Sequence, residues 1–157
     1  MSQKQSEMVA LNADVVGYSQ LIADDIEAMT ATMDAYRSLV ERRVREMGGT
    51  LVNFVGDNFM AVFANAMDAT GAAIHITTEV ERENATRTVS RGVRFRMGLD
   101  QGVVTVSGDE YFGDALNIAA RIQAIAQPGG INASGRVYRA LDEPALRFRP
   151  LGRRRLK

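Results

Sequence analysis

The chain has no cysteine. Disulfides, thiolate metal sites and cysteine nucleophiles are excluded together. It has one histidine, His75, so a multi-histidine zinc site and a paired histidine relay are also excluded. No apolar run approaches the ~20 residues that a membrane-spanning helix needs. The first residues, "MSQKQSE", are polar. Charge of neither sign is in excess: 19 Lys and Arg face 19 Asp and Glu, and the pI is about 6.6. A general nucleic-acid binder carries a basic excess, so that class is disfavoured and no nucleic-acid partner is expected. These absences leave a chain expected in the cytoplasm, or the cytoplasmic part of something longer.

What is present suits one domain. The length is 157 residues, with 46% hydrophobic and 24% charged residues, enough apolar material for a real core. The most informative stretch is "LVNFVGDNFMAVF", Leu51 to Phe63. Two short β runs flank Gly56, Asp57 and Asn58, the residue types that tight hairpin turns require. An earlier apolar run, "MVALNAD", ends at Asp14. Two such strands side by side put the Asp14 and Asp57 carboxylates at one edge of a sheet. The sequence shows no basic partner for either, so a cation between them is expected, Mg²⁺ or Mn²⁺.

The rest of the chain reads as a mixture. Met8 to Ala13 predicts a strand. In "DVVGYSQLI", Gly17 and Ser19 turn it into a helix, whose first backbone N–H groups suit a phosphate. A plain strand-to-helix connection fits the same residues. Ile26, Met29, Met33, Tyr36, Val40 and Val44 recur at helical spacing within Asp24 to Met47, and Gly48 and Gly49 end the run. Asp68 to Glu83 predicts a second helix, with His75 an ordinary residue in it, and Asn84 to Ser90 a polar loop. Gly92 to Val106 alternates and reads as a hairpin bending near Asp100–Gly102. "SGDEYFGD" reads as a turn and Ala115 to Ala126 as a helix stopped by "QPGG". "INAS" is a short strand, Gly135 to Leu141 a short helix, and "LRFRPLGRRRLK" the start of another strand. Mixed elements with hairpins predict an α+β fold: a ferredoxin-like, palm-like sandwich with a mostly antiparallel sheet and helices packed on one face.

Taken in order, "ADVVGYSQL", "GGTLVNFVGDNFMAVF", "FRMGLDQGVV", "YFGDALNIAARIQAIAQPGGI" and "PLGRRRLK" resemble the catalytic domain of the class III adenylate and guanylate cyclases. The resemblance runs from about Val9 to Lys157. It implies one catalytic domain over residues 1–157, a cut-out of a longer protein, that dimerises head to tail with active sites at the interface. It implies cyclisation of ATP or GTP to the 3′,5′-cyclic monophosphate with release of pyrophosphate, by two Mg²⁺ or Mn²⁺ ions per site. Asp14 and Asp57 match the family's metal aspartates, and Val15 matches the residue lending a carbonyl to one metal. Asn117 matches the asparagine that orients the ribose, and Arg121 the arginine that steadies the transition state. Gly17 and Tyr18, at the helix start described above, are the candidate triphosphate contacts on the strength of their backbone N–H groups. In the family, one subunit brings the metal aspartates and the other brings the asparagine, the arginine and the base readers.

Two positions depart from the adenylate-specific pattern. Asn53 stands where those members carry Lys, and Glu110 where they carry Asp. Guanylate-specific members often carry Glu and Cys there. Asn donates and accepts, and Glu accepts from either base, so base choice stays open, with ATP ahead of GTP. The alternative to an active cyclase is a weak or inactive cyclase-fold domain that binds nucleotide or dimerises to regulate an attached module. A diguanylate-cyclase-like or polymerase-like palm fits less well, because "VGDNF" lacks the Gly-Gly-acidic turn.

Overall fold

The computed structural model describes residues 2–86, 92–142 and 146–156. Its elements run β1 (Gln3–Val15), α1 (Tyr18–Asp24), α2 (Ile26–Glu46), β2 (Thr50–Val55), β3 (Asn58–Phe63), α3 (Ala66–Thr86), β4 (Phe95–Ser107), β5 (Glu110–Phe112), α4 (Asp114–Ala124), β6 (Ile131–Ala133) and α5 (Gly135–Ala140). The six-stranded sheet is ordered β2-β3-β1-β4-β5, with β6 beside β4. Every pairing is antiparallel except β4 with β6. The α+β class and mostly antiparallel sheet expected from the sequence are what the chain forms.

Strand alternation sorts side chains onto two faces. Val9, Leu11, Ala13 and Val15 of β1, Phe59, Ala61 and Phe63 of β3, and Phe95, Met97 and Leu99 of β4 share one buried cluster. Met29, Met33, Tyr36, Leu39, Val40 and Val44 of α2 complete it, with Ala69, Ala72, Ala73, Ile76 and Val80 of α3. Each fully buried large side chain contributes roughly 1.5–3 kcal/mol. Asp25 caps α2, accepting the Ala28 N–H at 3.1 Å. Arg42 and Arg43 of α2 pair with Glu79 of α3.

Helix α4 is the exception to helices on one face. Its Ala115 and Ala119 pack with Ala10, Met60 and Val104 on the opposite side of the sheet. Gly98 permits this: a Cβ there would lie 2.3 Å from the Ala119 carbonyl oxygen and 2.4 Å from the Gln123 nitrogen. Only a residue without a side chain lets the α4 backbone rest directly on β4.

Three expectations need correction. Residues 95–107 do not form a hairpin bent near Asp100–Gly102; they are one continuous strand of 13 residues. Its hairpin partner is β5, inside the stretch read as a turn. Asp100 is fully buried mid-strand and pairs with Arg136 of α5 at 2.9 Å. No strand forms in residues 146–156; the alternation of "LRFRP" finds no neighbouring strand to pair with. Asn84–Thr86, expected in a loop, are the last turn of α3, and residues 87–91 and Lys157 lie outside the described residues.

Candidate active site

The β2–β3 hairpin forms as the sequence predicts, around a tighter turn. Gly56 and Asp57 are the two turn residues, with Val55 paired to Asn58. Gly56 takes φ 60°, the left-handed conformation that glycine adopts without strain. The turn is fastened to the end of β1, since the Val15 N–H donates to the Asp57 carbonyl at 2.9 Å. Asp14 pairs in register with Asn58 on one side and Arg96 on the other. The structure thus brings Asp14, Val15 and Asp57 together at one end of the sheet.

Val15 is buried and belongs to the main core, which fixes the backbone on which Asp14 sits. Asp14 therefore turns to the opposite face, the one α4 covers. Next to it, Asn12 and Asn58 exchange side-chain hydrogen bonds at 3.4 and 3.2 Å. Asn12 is buried, 4% exposed, and the reciprocal amide pair meets its polar needs there.

One expectation about Asp14 does not hold. It has a basic partner: Arg96 donates from Nη2 to Oδ2 at 2.9 Å and from Nε to Oδ1 at 3.1 Å. The sequence reading missed this because the two residues are 82 positions apart. The Asp14 hydrogen bond, and then its charge, hold the Arg96 guanidinium above its ordinary range against the opposing effect of burial.

The donor set fits a hard divalent ion: two carboxylates and a backbone carbonyl are oxygen ligands of the kind Mg²⁺ and Mn²⁺ take. Among the described residues no group of three or more His, Cys, Asp or Glu is placed to hold a metal. Sparse protein ligation of this sort matches an ion that arrives with substrate phosphates and waters.

The remaining positions lie elsewhere. Asn117 and Arg121 stand one turn apart on α4, both exposed. Ala115 and Ala119, on the other side of that helix, touch the sheet. Asn53 is exposed on β2 beside a bulge, and Glu110 is exposed at the start of β5. Those are opposite edge strands of the sheet order. Gly17 is the N-cap residue of α1, accepting the Leu21 N–H at 3.0 Å, and Tyr18 opens that seven-residue helix.

Comparison with known proteins agrees with this architecture. The family model described as "Adenylate and Guanylate cyclase catalytic domain" matches residues 1–157. "Putative adenylate cyclase 3" of Rhizobium meliloti (strain 1021) is 31% identical over 129 residues, covering 82% of this chain and 22% of that protein. This chain therefore spans less than a quarter of that relative's length. The crystal structure of an adenylate/guanylate cyclase/hydrolase from Silicibacter pomeroyi superposes with a TM-score of 0.86 at 28% identity, over 99% of this chain and 92% of that one. The adenylyl cyclase CyaB from P. aeruginosa shares the fold, with a TM-score of 0.80 at 20% identity over 89% of this chain and 82% of that one. No helix among the described residues is long and apolar enough to cross a membrane. The chain belongs to the adenylate and guanylate cyclase catalytic domain family.

Proposed function

We propose that this domain is a nucleotidyl cyclase that closes the ribose 3′-OH of ATP, ahead of GTP, onto its own α-phosphorus and expels pyrophosphate. Two Mg²⁺ or Mn²⁺ ions, when bound, supply the charge that activates the hydroxyl and screens the leaving group. Asp14 and Asp57 hold them, with the Val15 carbonyl as a further ligand. Asn117 orients the ribose. Arg121 meets the charge that builds on the phosphoryl oxygens, a task its planar fork suits better than an ammonium. Losing such a group costs on the order of 10²–10³ in rate. Asn53 and Glu110 face the base, and the turn at Gly17 and Tyr18 lies beside the triphosphate.

The observation that carries the reading is the sidedness of α4. Ala115 and Ala119 rest on the chain's own sheet, while Asn117 and Arg121 point outward on the other side of the helix. Side chains held that way serve a second copy of the chain. The active unit is then an isologous homodimer with two composite sites.

Mixing two inactive variants tests this. Asp57→Ala and Arg121→Ala should each be inactive alone. After subunit exchange about half the dimers are mixed, and each mixed dimer keeps one intact site of two, so activity recovers to about a quarter of wild type. If the subunits demonstrably exchange and activity stays at background, the shared site is refuted.

A second reading is favoured by Arg96, which already occupies both Asp14 oxygens, and by Asn53. In it the domain binds nucleotide or dimerises with little or no turnover and regulates an attached module. Incubation with Mn²⁺ and ATP or GTP, with cyclic product assayed by chromatography, separates the two.

A further inference from the structure

Arg96 was not among the residues assigned to the site, yet it joins two of its parts. Its partner on β1 is Asp14 itself, directly opposite in the β1–β4 register. Its Nε and Nη2 take both carboxylate oxygens. Its third arm, Nη1, donates to the carbonyl oxygen of Ala124 at 3.3 Å. Ala124 ends α4, the helix that carries Asn117 and Arg121. A cation at a helix C-terminus is favourably placed on the helix dipole. The guanidinium thus spans a carboxylate and a helix end with a planar fork that a lysine cannot reproduce.

The pair is partly exposed, with side-chain exposures of 31% for Arg96 and 20% for Asp14. An ion pair in that setting adds little to folding stability. Its effect on a second cation is larger. A divalent ion approaching Asp14 meets a positive charge already seated on both oxygens, and must share them or displace it.

We propose that Arg96 is a positioning residue that holds the Asp14 carboxylate when no divalent ion is bound, competes with the ion for it, and ties that exchange to the C-terminal end of α4. The proposal rests on Asp14 being a metal ligand. Once a divalent ion takes Asp14, the contact left to Arg96 from this set is the Ala124 carbonyl. Loading the metal therefore changes how the end of α4 is held.

The test is equilibrium binding of Mn²⁺ alone to the nucleotide-free chain, read from the free-ion electron paramagnetic resonance signal. Circular dichroism checks the fold of each variant. Arg96→Ala should bind Mn²⁺ about threefold to tenfold more tightly than wild type, because a competing charge is gone. Arg96→Lys should fall between, since it keeps the charge and loses the fork. Asp14→Asn should bind at least about tenfold more weakly. If both Arg96 variants bind like wild type or more weakly while Asp14→Asn loses binding, the role of Arg96 is overturned and the metal assignment stands. If Asp14→Asn binds like wild type, the metal assignment fails and the proposal with it; if no form binds saturably without nucleotide, there is no ion for Arg96 to compete with and the proposal fails alone. Should Arg96→Ala not fold, Arg96→Lys decides by the same criterion.

Discussion

Gly98→Ala is the most direct probe of how α4 is placed. The added methyl would sit 2.3 Å from the Ala119 carbonyl oxygen and 2.4 Å from the Gln123 nitrogen. Ordinary contact begins near 3.4 Å, so the helix must lift by about 1 Å. Both obstructing atoms are backbone, so no rotamer change relieves the clash. Overpacking of this kind costs about 1–3 kcal/mol. At roughly 2–4 °C per kcal/mol for a domain of this size, Tm should fall by about 2–12 °C in a calorimetric or circular dichroism scan. If the proposed reaction is active, the loss in kcat/KM should exceed the loss in stability, because α4 carries Asn117 and Arg121 and a displacement of ~1 Å can cost on the order of 10²-fold. Gly71→Ala is the control. There the new methyl meets only the terminal methyl of Met47, at 2.7 Å, the free end of a flexible side chain. Gly71 lies inside α3, where alanine is the better helix former by up to about 1 kcal/mol, so its Tm should hold or rise. A Gly98→Ala protein with unchanged Tm, or a Gly71→Ala protein destabilised as much, would refute the argument from close backbone approach.

Tyr36 is fully buried and donates to the Asn84 Oδ1 at 2.7 Å. Tyr36→Phe should cost about 1 kcal/mol in urea unfolding. Asn84→Ala should cost more, because Asn84 also exchanges two hydrogen bonds with the Val93 backbone, at 2.7 and 3.1 Å. For base selection, Asn53→Lys with Glu110→Asp should raise the ATP to GTP ratio of kcat/KM by about tenfold or more, since unpaired polar groups penalise the wrong base. An unchanged ratio would remove both positions from base reading.

Local chemistry made the β2–β3 hairpin legible. Gly56 and Asp57 demand a turn wherever they fall between two β runs. The apolar spacing of α2 was equally plain, and the boundaries expected for α2 and α3 shifted only by a turn or less. The same local logic misread β4. Gly98, Asp100 and Gly102 look like turn residues, but each answers to something distant. Gly98 makes room for α4, the Asp100 carboxylate meets Arg136, and Gly102 lies against the Ala115 methyl. The stretch of α4 was read as a helix, but nothing in it said which face of the sheet receives that helix. Asp14 and Asp57 stood out from a strand end and a turn, whereas Asn117 and Arg121 were named only as matches to an ordered motif set. Arg96 was not found, because its meaning depends on the β1–β4 register, and a stretch read as a hairpin has no such register.

The β1–β4 ladder also orders events in time. It pairs the strands from Gln3 with Ser107 to Val15 with Phe95, so β1 is clasped on that side only by residues far downstream of it. Pairings so distant in sequence form slowly, since a long loop must close before they stabilise anything. A nascent chain that stops short of Phe95 leaves one edge of β1 open, and open edges recruit other chains. The surroundings of Asp14 wait on Arg96, 82 positions downstream. In a refolding experiment, then, the Asp14–Arg96 pair is expected to form late, since its formation must close the long loop between β1 and β4.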